Sequence, residues 1–349
     1  MKMLKKRNST FELLRIISIL LIIIFHYSSK GGYVGNTNPY SIGVFLSFGE
    51  LGVNLFMLIT GYYMINTNRK WEKVILILAQ VYFYNIINST IVFLNSGDPY
   101  TINNVIKILI PNTFYWYIKA YLLIYIFSPY INKLLKTLTQ KDYIALLTIS
   151  LVIWSVIPSF LQILGISAET TSLFYNRFIW LLIVYCIGAY INLYVKDTHI
   201  RKSLMFFSAA TLLLLVYIGI AVTFQVGFIK TQGFIPPNSV LLFFLSLAIF
   251  LLFAKISPFN SRTINLFANC TLGIYMLHDG YGNKLIRTYC ASFFTGQIGE
   301  LNILLSSIVI FLVGFLLNIV WIFVEKFMKL ILDFVTHKIQ KKVYLKEIH

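Results

Sequence analysis

Apolar residues in this chain come in long runs rather than alternating with polar ones, and the runs repeat. A bilayer core about 30 Å thick is crossed by a helix of roughly 20 mainly apolar residues. Stretches of that kind, separated by short polar breaks, cover 11–29, 44–64, 73–95, 114–132, 143–164, 174–195, 203–225, 238–256, 264–288 and 301–324. The ninth is the least uniform, because it holds His278, Asp279 and several glycines. The stretch 101–111 is too short to span and reads as a helix lying in the interface. The pattern predicts an all-α polytopic membrane protein of about ten transmembrane helices, with a membrane domain over 1–332 and a basic cytoplasmic tail over 333–349.

Composition excludes most other classes. The chain is 58% hydrophobic and 12% charged, whereas soluble domains carry roughly 25% charged residues. With 19 Gly, 8 Pro and 3 Cys, collagen-like and disulfide-rich classes are excluded too. The net charge of +17 would suggest nucleic acid on a soluble protein, but here it reads as an orientation signal. With the N-terminus placed in the cytoplasm, 21 of the 29 Lys and Arg fall in inner segments and 6 in outer ones, and Arg15 and Lys119 lie within spans. Both termini are therefore expected inside, in a multi-pass protein of the cell membrane with no nucleic-acid partner. Lys5-Lys6-Arg7 before an apolar run is also how a signal peptide begins. Arg15 and His26 within that run, and the lack of a small-residue cleavage site after it, predict a retained helix. Cys186, Cys270 and Cys290 lie in apolar runs without metal-ligand spacing and read as packing residues, so no metal is expected. No internal repeat appears, which points to one membrane domain.

Ionisable residues at membrane depth are costly and mark function. In the first span Glu12 and Arg15 stand three apart, neighbours on one helix face that can pair. His26 follows Arg15 by eleven residues, about three turns and 20°, which keeps it on nearly the same face roughly 16 Å further outward. If Arg15 only snorkels to the headgroups and His26 only bonds a neighbouring helix, their alignment is left unexplained. The second span carries Glu50 and Asn54, then Thr60-Gly61. The fourth has Tyr115-Trp116-Tyr117 at its outer entrance, an interfacial belt in the plainer reading, and Lys119 deeper, where it is expected to face a carboxylate such as Glu50. The ninth runs outward from Cys270 through Met276-Leu277-His278-Asp279, which brings His278 and Asp279 level with His26. Two histidines, two carboxylates and a lysine at similar depth predict a polar cavity. His199, His337 and His349 fall in a basic loop and the tail and read as solvated.

Phe11-Glu12-Leu13-Leu14-Arg15 through Phe25-His26-Tyr27-Ser28 resembles the first helix of the acyltransferase-3 family of integral-membrane O-acyltransferases, of the type that modifies bacterial surface polysaccharides. That family is marked by a basic residue, ten intervening residues and a histidine, as Arg15 and His26 stand here. Gly52-Val53-Asn54-Leu55-Phe56 through Thr60-Gly61-Tyr62 is similar to its second helix, with Thr60 where Ser is usual. Phe114-Tyr115-Trp116-Tyr117 through Ser128-Pro129 is similar to its aromatic-led fourth helix, and Cys270 through His278 to its late histidine helix. Many members have paired arginines in the inner loop after the second helix, where this chain has only Asn68-Arg69-Lys70-Trp71-Glu72-Lys73. The extracytoplasmic esterase-like domain of some members is not seen in this chain.

The resemblance implies transfer of an acyl group, usually acetyl, from cytoplasmic acyl-CoA to a sugar hydroxyl on a cell-surface polysaccharide or its lipid-linked precursor. Arg15, with Arg69 and Lys70, would attract the phosphates of CoA. His26 would be the base for the hydroxyl or carry the acyl group transiently. Glu12 would orient Arg15, and Glu50, Asn54, Trp116, Lys119, His278 and Asp279 would contact the acceptor. A polytopic transporter or exporter of a glycan or small solute is the alternative, but it often shows inverted repeats and none is found. A membrane glycan polymerase would need a large outer catalytic loop, and the outer loops here are short. Ile-, Lys- and Asn-rich usage points to an AT-rich bacterium.

Overall fold

The long apolar runs fold as helices, and every regular element among the described residues is helical. The computed structural model describes residues 7–31, 35–99, 101–109, 115–164, 166, 176–195, 200–226, 235–280 and 282–347, with backbone alone at 107 and from 335 onward. Lys2, Lys5, Lys6, Phe114, Lys196, His199, Lys230 and His349 lie outside the described residues, as does the side chain of His337.

The elements in chain order begin with α1 Ser9–Lys30, α2 Pro39–Met64, α3 Trp71–Ser96, α4 Ile102–Leu109 and α5 Trp116–Thr137. Next, α6 Gln140–Leu151 and α7 Ile157–Ile163 are joined without a break by the π-helical turn Val152–Val156. Then come α8 Arg177–Tyr194, α9 Ile200–Phe224 and α10 Val240–Lys255. The last are α11 Arg262–Asn269, α12 Thr271–His278, α13 Asn283–Ser292 and α14 Gly299–Glu347. Among the described residues, seven helical stretches are long and apolar enough to cross a membrane: α1, α2, α3, the α6–α7 unit, α8, α9 and Gly299–Phe334 of α14. With 22 residues α5 is as long as α1, but it carries Lys119, Lys133 and Lys136. The short run expected at the interface is α4, whose Ile102, Val105, Ile106 and Leu109 form an exposed apolar face.

Two expected spans are not continuous helices. The eighth is α10, with 16 residues, about 24 Å long. The irregular segment 235–239 before it is wholly buried. Its backbone is served by side chains: Asn54 donates to the Pro237 carbonyl at 2.9 Å and Ser159 accepts from the Val240 N–H at 2.9 Å. Non-helical backbone at membrane depth survives where protein groups satisfy it. The ninth is broken into α11, α12 and α13. Cys270 separates the first two, and Asp279 and Gly280 follow the end of α12. There a Cβ on Gly280 would overlap the Asn88 amide of α3. The histidine at its end thus terminates a helix deep in the protein instead of crossing with it.

The centre is built from α1, α2 and α8, and 72% of the most apolar window of α2 is buried. By contrast 11% of the α6–α7 window is buried, so that unit faces outward. Small residues set the tight central packing. A Cβ on Gly52 would collide with the Ser18 carbonyl and Ile22 of α1, and one on Gly61 would collide with the Tyr185 backbone of α8. Asn8 caps α1 by accepting from the Thr10 N–H at 3.0 Å, and Glu12 lies in the first turn, where the helix dipole favours a carboxylate. The beginnings of α1, α3, α6, α9 and α11 lie at one end of the bundle, referred to below as the basic end. At the opposite, far end, the Gly299 N–H donates to the Asn36 carbonyl at 3.0 Å, and Glu300 accepts from the Asn38 N–H at 2.6 Å. The last helix, α14, has 49 residues, about 74 Å, and continues without a break through the boundary expected at 332.

Candidate functional site

The polar stripe on α1 faces a cavity of about 520 Å³ lined by Arg15, Ile19 and Ile22. These stand at helical spacing, and His26 comes one turn after Ile22 on the same face. The mouth at the basic end is lined by Arg7, Arg15, Lys70, Lys73 and Lys329, with Glu72 and Glu325. Deeper walls come from Val53 and Phe56 of α2, Leu76, Ile77 and Gln80 of α3, and Tyr117 and Tyr121 of α5. Leu272 and Tyr275 of α12 close the remaining side.

The expected Glu12–Arg15 pair is present and has a third member. Buried Glu12 accepts from Arg15 Nη1 at 3.2 and 3.3 Å and from Arg7 Nε at 2.8 Å. Arg7 also donates to Asn269, the last residue of α11. One carboxylate therefore holds two guanidiniums at the cavity mouth.

The second cluster lies beyond the cavity toward the far end. His26 and His278 are both buried, with ring centroids 4.9 Å apart. His26 Nε2 is 3.7 Å from Asp279 Oδ1, and the same oxygen pairs with Lys30. His278 Nδ1 lies 2.8 Å from the Ile274 carbonyl. A carbonyl only accepts, so Nδ1 carries a proton, and in the neutral ring Nε2 is the basic nitrogen. His26 Nδ1 and His278 Nε2 are buried with no hydrogen-bond partner among the described residues, and so is Glu50 Oε2. Tyr275 joins the cavity to this cluster: its ring lines the cavity wall and stands 6.0 Å from that of His278.

Other expected residues have different positions. The Asn54 side chain is fully engaged, donating to the Pro237 carbonyl and accepting from Trp180 Nε1, each at 2.9 Å. It tethers α8 and the irregular 235–239 segment to α2. Trp116 is half-buried, and the Arg177 guanidinium sits 4.8 Å from its ring centroid. Lys119, expected to face Glu50, is exposed on α5 and lines no part of the cavity, because the Tyr117 and Tyr121 face turns inward instead. Lys70 is at the mouth. Arg69 is not: it donates to the Ile126 carbonyl at 2.7 Å and lies 4.3 Å from the Trp71 ring centroid.

A buried pair of imidazoles thus stands beyond a cavity with a cationic mouth. The model of the acyltransferase-3 family, described as an acyltransferase domain, matches residues 8–324. The chain belongs to the acyltransferase-3 family. No curated protein and no solved structure matches it significantly. This acyltransferase is thus a multi-pass membrane protein whose family match contains both histidines and Asp279. Arg7, Glu325 and Lys329 of the mouth fall just outside the match.

Several residues of this candidate site were not singled out by the sequence. Lys30 is four residues after His26, a spacing that puts both on one face, and that signal was readable. Lys73, Tyr121 and Tyr275 depend on how α3, α5 and α12 meet. Lys73 Nζ donates to Tyr121 Oη at 2.8 Å and rests 4.8 Å from the Tyr125 ring centroid. Lys329 follows the last apolar run, 301–324, and lines the mouth because α14 continues past that run.

Proposed function

We propose that this acyltransferase transfers an acyl group, in the simplest case acetyl, from acyl-CoA to a hydroxyl of a cell-surface polysaccharide or its lipid-linked precursor. The observation that carries this reading is the cavity itself, which leads from a ring of cations at one end of α1 toward the buried His26–His278 pair.

The cationic mouth suits the phosphates of CoA, since Arg and Lys make the strongest hydrogen bonds to phosphate oxygens. The largely apolar wall below it suits an extended arm with a thioester at its tip. Arg15 to His26 is eleven residues, about 16 Å along the helix. The excess of Lys and Arg on this side supports placing the mouth in the cytoplasm of a bacterial cell, with the acceptor approaching from the far end.

A hydroxyl must lose its proton as it attacks. In this reading His26 Nε2–H points toward Asp279, leaving Nδ1 as the nitrogen that takes the hydroxyl proton. The acceptor oxygen forms a bond to the thioester carbonyl carbon, the carbon–sulfur bond breaks, and the departing thiolate takes a proton to become the CoA thiol. The proton is returned from His26 directly or through the adjacent His278. Asp279 acts through His26 as a positioning residue, itself held by Lys30.

The test is transfer of labelled acetyl from acetyl-CoA to glycan in membranes that contain or lack the protein, with CoA release measured in parallel. Label in an alkali-labile ester together with free CoA is the expected result. Solute uptake without CoA release would overturn it.

A further inference from the structure

Arg287 of α13 is a buried cation to which the proposed reaction assigns no task. It is 2% exposed, and its Nε donates to the Gly31 carbonyl at 3.1 Å. Nη1 is buried with no partner among the described residues. Among those residues no carboxylate lies within ion-pair distance of Arg287, and Asp279, the acid that interacts with it electrostatically, is held by Lys30. A guanidinium that only tied α13 to the turn after α1 would be a costly choice, because a buried charge without a counter-charge is strongly destabilising.

Its position is fixed relative to the reaction centre. Tyr27, the residue after His26, donates to the Arg287 carbonyl at 3.2 Å, and Gly31 lies just past the end of α1. The guanidinium therefore belongs to the far-end cluster of His26, His278, Lys30 and Asp279. It lies about 24 Å along α1 from Arg15, too far to share a phosphate with the mouth.

We propose that Arg287 binds an anionic group, a carboxylate or a phosphate, carried by the acyl acceptor close to the hydroxyl that reacts at His26. The inference rests on the acyltransferase reading and narrows it: the acceptor is an acidic glycan rather than a neutral one. The planar guanidinium fork suits either anion, with Nη1 unpartnered among the described residues, and Lys30 adds a second positive charge at the same end.

The experiment uses the full-length protein in lipid nanodiscs with acetyl-CoA and two matched pairs of acceptors. One pair is a glucuronic-acid-containing oligosaccharide and its carboxyl-reduced form. The other is a phosphorylated oligosaccharide and its dephosphorylated form. The wild type is expected to favour the acidic member of one pair by about tenfold or more in kcat/KM, the scale of one charge-assisted hydrogen bond. The pair that shows the preference separates carboxylate from phosphate. Arg287→Gln is expected to bring the acidic-to-neutral ratio close to one, and Arg287→Lys to keep part of it. A wild type without preference in either pair, or a ratio unchanged by Arg287→Gln, overturns the proposal. If Arg287→Gln does not fold, the wild-type ratio and that of Arg287→Lys decide. Absence of acetyl transfer and of CoA release with every acceptor would instead be failure of the acyltransferase reading, and this inference would fall with it.

Discussion

His26 and His278, 252 residues apart in the chain, face each other with ring centroids 4.9 Å apart, and both are buried. His278 is the last residue of α12. If the second imidazole passes the proton on toward the leaving thiolate, His278→Gln keeps the hydrogen-bonding shape and loses the titratable ring. Its kcat is expected to fall by about 10²-fold, the lower range for a proton-transfer group, with the KM for acetyl-CoA little changed. Steady-state kinetics in detergent or nanodiscs checks this.

Lys30 and Asp279 should behave as one unit. Each single neutralisation, Lys30→Gln or Asp279→Asn, leaves the other charge without its partner, and Asp279→Asn also removes the anion beside His26 Nε2. A double-mutant cycle on kcat is expected to show a coupling of about 0.5–3 kcal/mol. Additive single effects would mean that the pair does not position His26.

At the mouth, Lys73 projects from the start of α3 onto the tyrosines of α5 and lines the cavity. Lys73→Gln is expected to raise the KM for acetyl-CoA by roughly tenfold, as the loss of a charge-assisted phosphate contact would, while kcat at saturating donor changes little. High salt should weaken donor binding in the same direction, since the mouth is open to solvent.

Two substitutions separate structure from chemistry. Gly52→Val places a side chain where α1 already sits and is expected to cost about 1–3 kcal/mol or more, read as a lower melting temperature. Asn54→Leu strips partners from Trp180 Nε1 and the Pro237 carbonyl, a loss of about 1–3 kcal/mol for each buried group left unsatisfied. Both should lower stability, and the folded fraction should keep its KM for donor.

Much of this was legible in the sequence. The apolar runs predicted the helices because the bilayer imposes length and composition on each one independently. The line from Arg15 to His26 was legible because helical periodicity is local, and the Glu12–Arg15 pair followed from a spacing of three. What could not be read depends on how helices meet. The exposure of Lys119 follows from the rotation of α5, which only its tertiary contacts fix. The engagement of Asn54 depends on a buried irregular segment 183 residues away, and Arg69 turns from the cavity to a carbonyl of α5. The break at His278 was foreshadowed by the glycines and Asp279 around it, though an apolar run alone gives no sign that a helix will stop at membrane depth.

The most direct test of the central claim is the acetyl-transfer rate of His26→Ala beside the wild type, at matched melting temperature and with acetyl-CoA binding verified. The account predicts that transfer falls by about 10²–10⁴-fold while the donor still binds. Wild-type transfer by His26→Ala would contradict it.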